Sequence, residues 1–181
     1  MFIEALLLSI IIGYILKGSI KRVNVENIKG SYIAFLSFGI EIMIFIPVRK
    51  GIISPGIITL LLYIVEYMLI FMFIYMNRKN KWILIMGIGF MLNAVAIFAN
   101  GGLMPVSQAA IDAAGIKGSV SSEGLYTLVN KSTRLWFLGD VIPFRIFRSY
   151  VVSIGDLVSA IGLMIFMISG MRKTKVKSIM L

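Results

Sequence analysis

Five apolar runs, at about 2–17, 31–48, 57–76, 82–99 and 151–170, organise this chain, with charged and turn-forming joints between them. A helix needs roughly 20 apolar residues to cross the hydrocarbon of a bilayer, with about 17 as the lower limit. The pattern predicts an all-α polytopic integral membrane protein with about five transmembrane helices. Composition agrees, because 59% of the residues are hydrophobic, against roughly 45–50% in soluble proteins. The 181 residues suit one membrane domain spanning 1–181, in contact with the lipid bilayer.

The net charge of +10 resides almost wholly in the joints. It therefore reads as a set of topology signals and lipid-headgroup contacts rather than a nucleic-acid surface, since no basic patch is interleaved with aromatics. Joint 1–2, joint 3–4 and the tail together carry 11 Lys and Arg, against 7 on the other side, most of those in one long segment. Long translocated segments count for little in this rule, so the N-terminus is expected outside and the C-terminus in the cytoplasm of a cell-membrane protein. Met1-Phe-Ile-Glu4 lacks the basic start of a cleavable signal peptide, so the first helix is expected to stay attached.

Four acids, Glu4, Glu41, Glu66 and Asp156, lie inside the apolar runs without an internal Lys or Arg to neutralise them. An ionised carboxylate in hydrocarbon costs several kcal/mol, so such residues face a bundle interior or a cavity. Helical spacing places small or polar companions beside them: Ala34 and Ser37 with Glu41, Tyr63 and Tyr67 with Glu66, and Ser153 and Ala160 with Asp156. Gly89, Asn93, Ala96 and Asn100 form a matching stripe on the fourth run. Small residues let helices approach and polar ones bond across the contact, so these faces are expected to converge. The candidate ligand- or ion-binding residues are Glu41, Glu66, Asn93, Asn100, Asp140 and Asp156, arranged as a funnel opening outward. Each also has a structural role open to it: Glu41 and Glu66 as protonated packing residues, Asp156 as a first-turn helix acid, and Asn100 as a cap.

The segment 100–150 is too long for an idle connection. Asn100-Gly-Gly-Leu-Met-Pro105 reads as a helix stop, and Pro105 to Ala114 as a short helix closed by Gly115. From Ser122, the positions Leu125, Leu128, Val129, Leu135 and Trp136 follow helical spacing with Glu123, Asn130, Lys131 and Arg134 largely opposite. That predicts an amphipathic helix ending at Gly139, followed by aromatic and arginine interface anchors from Pro143 to Tyr150. The whole would be an amphipathic or re-entrant outer cap between the fourth and fifth spans. Leu138-Gly-Asp140-Val-Ile and Ile154-Gly-Asp156-Leu-Val repeat one pattern, read as a coincidence or as a common turn-and-cap device.

The chain has no Cys and no His, which excludes disulfides, thiolate or imidazole metal sites, and nucleophiles of either type. It also lacks a P-loop, a G-x-S-x-G elbow and an H-E-x-x-H motif. No cofactor or metal is indicated, and enzymatic activity is unsupported. Asn100-Gly-Gly-Leu-Met-Pro105, Leu138-Gly-Asp-Val-Ile-Pro143 and Ser153-Ile-Gly-Asp156 together resemble a bacterial family of small membrane proteins catalogued as a domain of unknown function. The resemblance covers nearly the whole chain and implies that the cap and the last span form one recurring unit. It implies no activity. The expected function is binding or transport of a small solute or cation in an outward-facing polar pocket. The alternative is a non-catalytic accessory or scaffold subunit bound to a membrane-protein partner.

Overall fold

A computed structural model describes residues 1–116, 124–145 and 148–172. Six α-helices occur among them: α1 (Phe2–Ile15), α2 (Ser31–Arg49), α3 (Ile57–Met76), α4 (Lys81–Ala99), α5 (Gln108–Ala114) and α6 (Ile154–Met171). Four of these, α2, α3, α4 and α6, are long and apolar enough to cross a membrane, whereas α1 is apolar but shorter. Their outward faces carry large apolar side chains, such as Phe35 and Met43 on α2 and Leu61, Met68 and Met72 on α3. Exposed apolar surface on that scale fits contact with lipid.

The helix ends are set by local chemistry. Asn80 opens α4 by accepting hydrogen bonds from the backbone N–H groups of Trp82 and Ile83. Asn100-Gly-Gly closes it as the sequence predicts, with Gly101 and Gly102 at φ of 69° and 91°, a region glycine enters at little cost. α6 opens on a reciprocal capping box. The Ser153 Oγ accepts from Asp156 N at 2.9 Å, and the Asp156 Oδ2 accepts from Ser153 N at 3.1 Å. That box starts the last helix at Ile154 instead of 151, leaving Tyr150–Val152 free to form a strand.

The long helices and α1 pack in the order α1, α6, α4, α3, α2, with the α4–α6 contact the most extensive. Small residues explain that contact. A Cβ on Gly89 would overlap Ser159 and the Gly155 carbonyl, and one on Gly162 would lie 2.7 Å from Met86 Cγ. The helices therefore touch backbone to backbone, and the Ser159 Oγ donates to the Met86 carbonyl at 3.1 Å. α1 uses a second small-residue stripe, Ala5, Ser9 and Gly13, all buried, with Gly13 directly against Met171 of α6. Four-residue spacing of small residues makes that stripe readable in the sequence.

The segment between α4 and α6 is a cap of mixed structure. Strand β1 (Met104–Val106) pairs in parallel with β2 (Tyr126–Leu128), and β3 (Ile142–Phe144) pairs antiparallel with β4 (Tyr150–Val152). α5 lies between β1 and β2 in sequence, capped by Ser107 at its start and by left-handed Gly115 at its end. It begins three residues after Pro105 because Met104–Val106 is committed to the strand pair.

The amphipathic helix expected from Ser122 to Gly139 does not form over the described residues. Tyr126–Leu128 is a strand, Leu135 is left-handed at φ 49°, and Trp136–Leu138 is a single 3-10 turn. The competing interactions are visible. Asn130 Oδ1 accepts from Ser132 N at 2.8 Å and from Ser132 Oγ at 2.6 Å, and Asn130 N donates to Thr133 Oγ1 at 2.9 Å. Side-chain bonds of this kind offer the backbone an alternative to helix. Ser122, Glu123 and Lys117 lie outside the described residues, as do Lys173, Lys175 and Lys177 of the basic tail.

Candidate functional site

A cavity of about 180 Å³ lies where the cap meets the helices. Its walls come from the cap-side halves of four spans: Glu41 and Phe45 on α2, Tyr63 on α3, Asn93 on α4 and Asp156 on α6. Met104, Leu125, Tyr126 and Asp140 of the cap complete it. No Lys or Arg is among the residues that line it. Leu125 anchors the cap by packing with Ile44 and Val48 of α2.

Four of the six residues singled out from sequence thus meet at one cavity: Glu41, Asn93, Asp140 and Asp156. Asn93 is the hub of their polar network. Its Nδ2 donates to Asp156 Oδ1 at 2.9 Å, and its Oδ1 accepts from Ser153 Oγ at 2.7 Å. Asp156 therefore caps its own helix and binds α4 at once, so the structural and polar-pocket readings of this residue coexist.

Both Gly-Asp pairs deliver an acid to this cavity, and the glycines explain how. A side chain at Gly139 would collide with Pro105, and one at Gly155 would collide with Asn93 and sit 2.6 Å from the Gly89 carbonyl. Each glycine lets the backbone press against its neighbour so that the following aspartate reaches the cavity wall. Asp140 is held further by β1: its N–H donates to the Pro105 carbonyl at 2.8 Å, and its carbonyl accepts from Ser107 N at 3.0 Å.

Asp140 is 7% exposed, and its Oδ1 has no hydrogen-bond partner among the described residues. Burial, reinforced by the Asp156 charge, pushes its carboxyl well above the usual aspartate value of 3.8. The native protein then retains a proton that the unfolded chain releases. The Asp140 contribution to stability is full below pH 3.8 and is lost as pH rises through the higher folded value. Thermal unfolding in detergent across acid to neutral pH should show this decline in the wild type, and Asp140→Asn should flatten that part of the profile.

Glu66 is placed differently. It is 6% exposed on α3, three residues beyond Tyr63, with Oε2 unpartnered among the described residues, and it lies outside the cavity lining. Asn100 is away from the cavity. It exchanges two hydrogen bonds with the backbone of Arg134, at 2.8 and 3.0 Å, clasping the end of α4 to the cap. Glu4 pairs at 2.5 Å with the Met1 amine, the neutralising group that a search for Lys and Arg overlooks. Tyr63 and Tyr126 are wall residues; Tyr126 is hidden in the sequence because the helical spacing around it masks its strand.

The geometry defines a polytopic α-helical membrane protein with an acidic cavity beneath a small capping element. The chain belongs to the DUF5317 family, a family of unknown function whose model matches residues 26–168. An uncharacterised protein of Thermotoga maritima is 29% identical over 169 residues, covering 92% of this chain and 88% of its own length. No solved structure matches the chain.

Proposed function

We propose that this protein binds, and in the membrane conducts or transports, a small cation through the cavity formed by Glu41, Asn93, Asp140 and Asp156. The observation that carries the reading is the convergence of three acids on a cavity lined by no basic residue, with Glu66 buried beyond it. The size of about 180 Å³ falls below the roughly 300–1,000 Å³ of ordinary small-molecule sites, which favours a proton, a hydrated monovalent ion or a compact amine. Among the described residues no three acids come close enough to chelate a metal, which disfavours a divalent ion held by direct carboxylate ligation. In this reading α1 serves as a short fifth span, the cap covers the outer mouth, and the C-terminus is cytoplasmic.

Glu41 is the residue to test because it is exposed at the cavity wall, so that Glu41→Gln removes charge without opening a core. Purified protein is titrated with Na⁺, K⁺ and methylammonium at constant ionic strength while its unfolding temperature is followed. A bound cation stabilises the wild type, by about 2.7 kcal/mol at a hundredfold excess over its dissociation constant. Glu41→Gln should lose that response. A flat response to every cation and to pH in both proteins would refute the reading and favour an accessory subunit.

A further inference from the structure

At the opposite end of the bundle lies a second, larger cavity, of about 910 Å³. Three pieces of chain build it: the joint between α1 and α2, the turn between α3 and α4, and the end of α6. Five cationic side chains line it, Arg22, Lys29, Arg78, Lys79 and Lys81, and no acid does. None of the five forms a salt bridge among the described residues.

The basin is built into the fold. Asn77 is 7% exposed and clasps the α1–α2 joint to the end of α3. Its Oδ1 accepts from Lys29 N at 2.9 Å, while its Nδ2 donates to the carbonyls of Lys29 and Phe73, each at 2.8 Å. Asn80 then caps α4 so that Lys81 and Trp82 begin the next wall, with the Lys81 Nζ 4.4 Å from the centre of the Trp82 ring. The cations are thus carried on elements fixed to one another rather than on a free tail.

We propose that this basin binds the phosphate headgroup of an anionic phospholipid, and binds a headgroup with two phosphates better than one with a single phosphate. Charge selects the class, since five cations and no acid demand a compact polyanion. Depth selects the lipid over a soluble ion: the basin sits where α3 and α6 end and α4 begins, at the level of the headgroups. Met76, Trp82 and Phe166 supply apolar surface beside the charges, as acyl chains and glycerol require. The volume of about 910 Å³ leaves room for more than one phosphate.

The experiment compares lipid retention by native mass spectrometry and unfolding temperature in nanodiscs of phosphatidylcholine alone or doped with phosphatidylglycerol or cardiolipin. The wild type should retain cardiolipin most and phosphatidylcholine least, with stability following the same order. Removing basic residues near the surface should weaken retention roughly five-fold each, so Arg78→Gln with Lys79→Gln loses on the order of 25-fold. The control is Lys17→Gln with Lys21→Gln, which removes equal charge at the same end of the bundle, from the α1–α2 joint, but outside the basin. Equal losses in both double variants would overturn the proposal in favour of diffuse attraction. So would stabilisation by soluble pyrophosphate in phosphatidylcholine nanodiscs without any lipid preference, which would make the ligand a free phosphate compound. Orthophosphate and pyrophosphate without effect, together with cardiolipin retention lost only in the basin variant, would support the lipid.

Discussion

Gly89→Ala should unfold at a markedly lower temperature than the wild type in detergent, while Gly39→Ala should not. The chemical change is the same and both glycines are inside spans, so only the surroundings differ. The new methyl at position 89 meets Ser159 and the Gly155 carbonyl, backbone that cannot rotate away, whereas nothing lies within 4 Å of position 39. Overpacking a tight contact costs about 1–3 kcal/mol. Replacing an unobstructed helical glycine by alanine instead gains about 0.5–1 kcal/mol. Opposite signs from one substitution would establish the α4–α6 seam as the contact on which the bundle depends. Equal effects would show that the two helices have room to separate.

Asn93→Leu should be the most damaging polar substitution near the cavity. It keeps the approximate shape but removes the donor to Asp156 and the acceptor for Ser153. Leaving buried polar partners unpaired costs roughly 1–3 kcal/mol. Ser153→Ala also loses the helix cap, for about 1 kcal/mol. Because both changes break one shared network, the double variant should be less destabilised than the sum. Interhelical polar bonds in membranes couple by about 0.6 kcal/mol on average and up to about 1.7. A double-mutant cycle read by thermal or denaturant unfolding checks this, and strict additivity would mean that the network is not one unit.

The four long apolar helices are legible because their signal is summed over many residues: α3 begins and ends where its apolar run does. The convergence of Glu41, Asn93 and Asp156 was also legible, since a polar group in hydrocarbon has few places to go. Asp140 is expected in the cap over the funnel, but its depth of burial is not legible, because that depends on Pro105 pressing on Gly139 from strand β1. The cap failed for a related reason. Leu125, Leu128 and Val129 satisfy helical spacing, yet Tyr126–Leu128 pairs with a strand about twenty residues earlier in the chain. Spacing within a segment carries no information about such a partner. Asn100 shows the reverse case: its type suggested either a cap or a ligand, and the clasp on Arg134 is decided by a residue 34 positions away.

The neighbour of α1 is α6, and the Ser19 N–H, just beyond α1, donates to the Met171 carbonyl at 2.9 Å. A helix made early in synthesis is thus matched to one made well after it. Throughout synthesis the stripe of Ala5, Ser9 and Gly13 has no permanent occupant, and the facing stripe around Gly89 waits for the same helix. The α2–α3 hairpin is able to assemble early from near neighbours, but the two seams that unite the bundle close together and late. A ribosome stalled before α6 would hold a set of inserted helices with their most adhesive faces open to any passing membrane segment. The arrival of α6 therefore completes two interfaces in a single event.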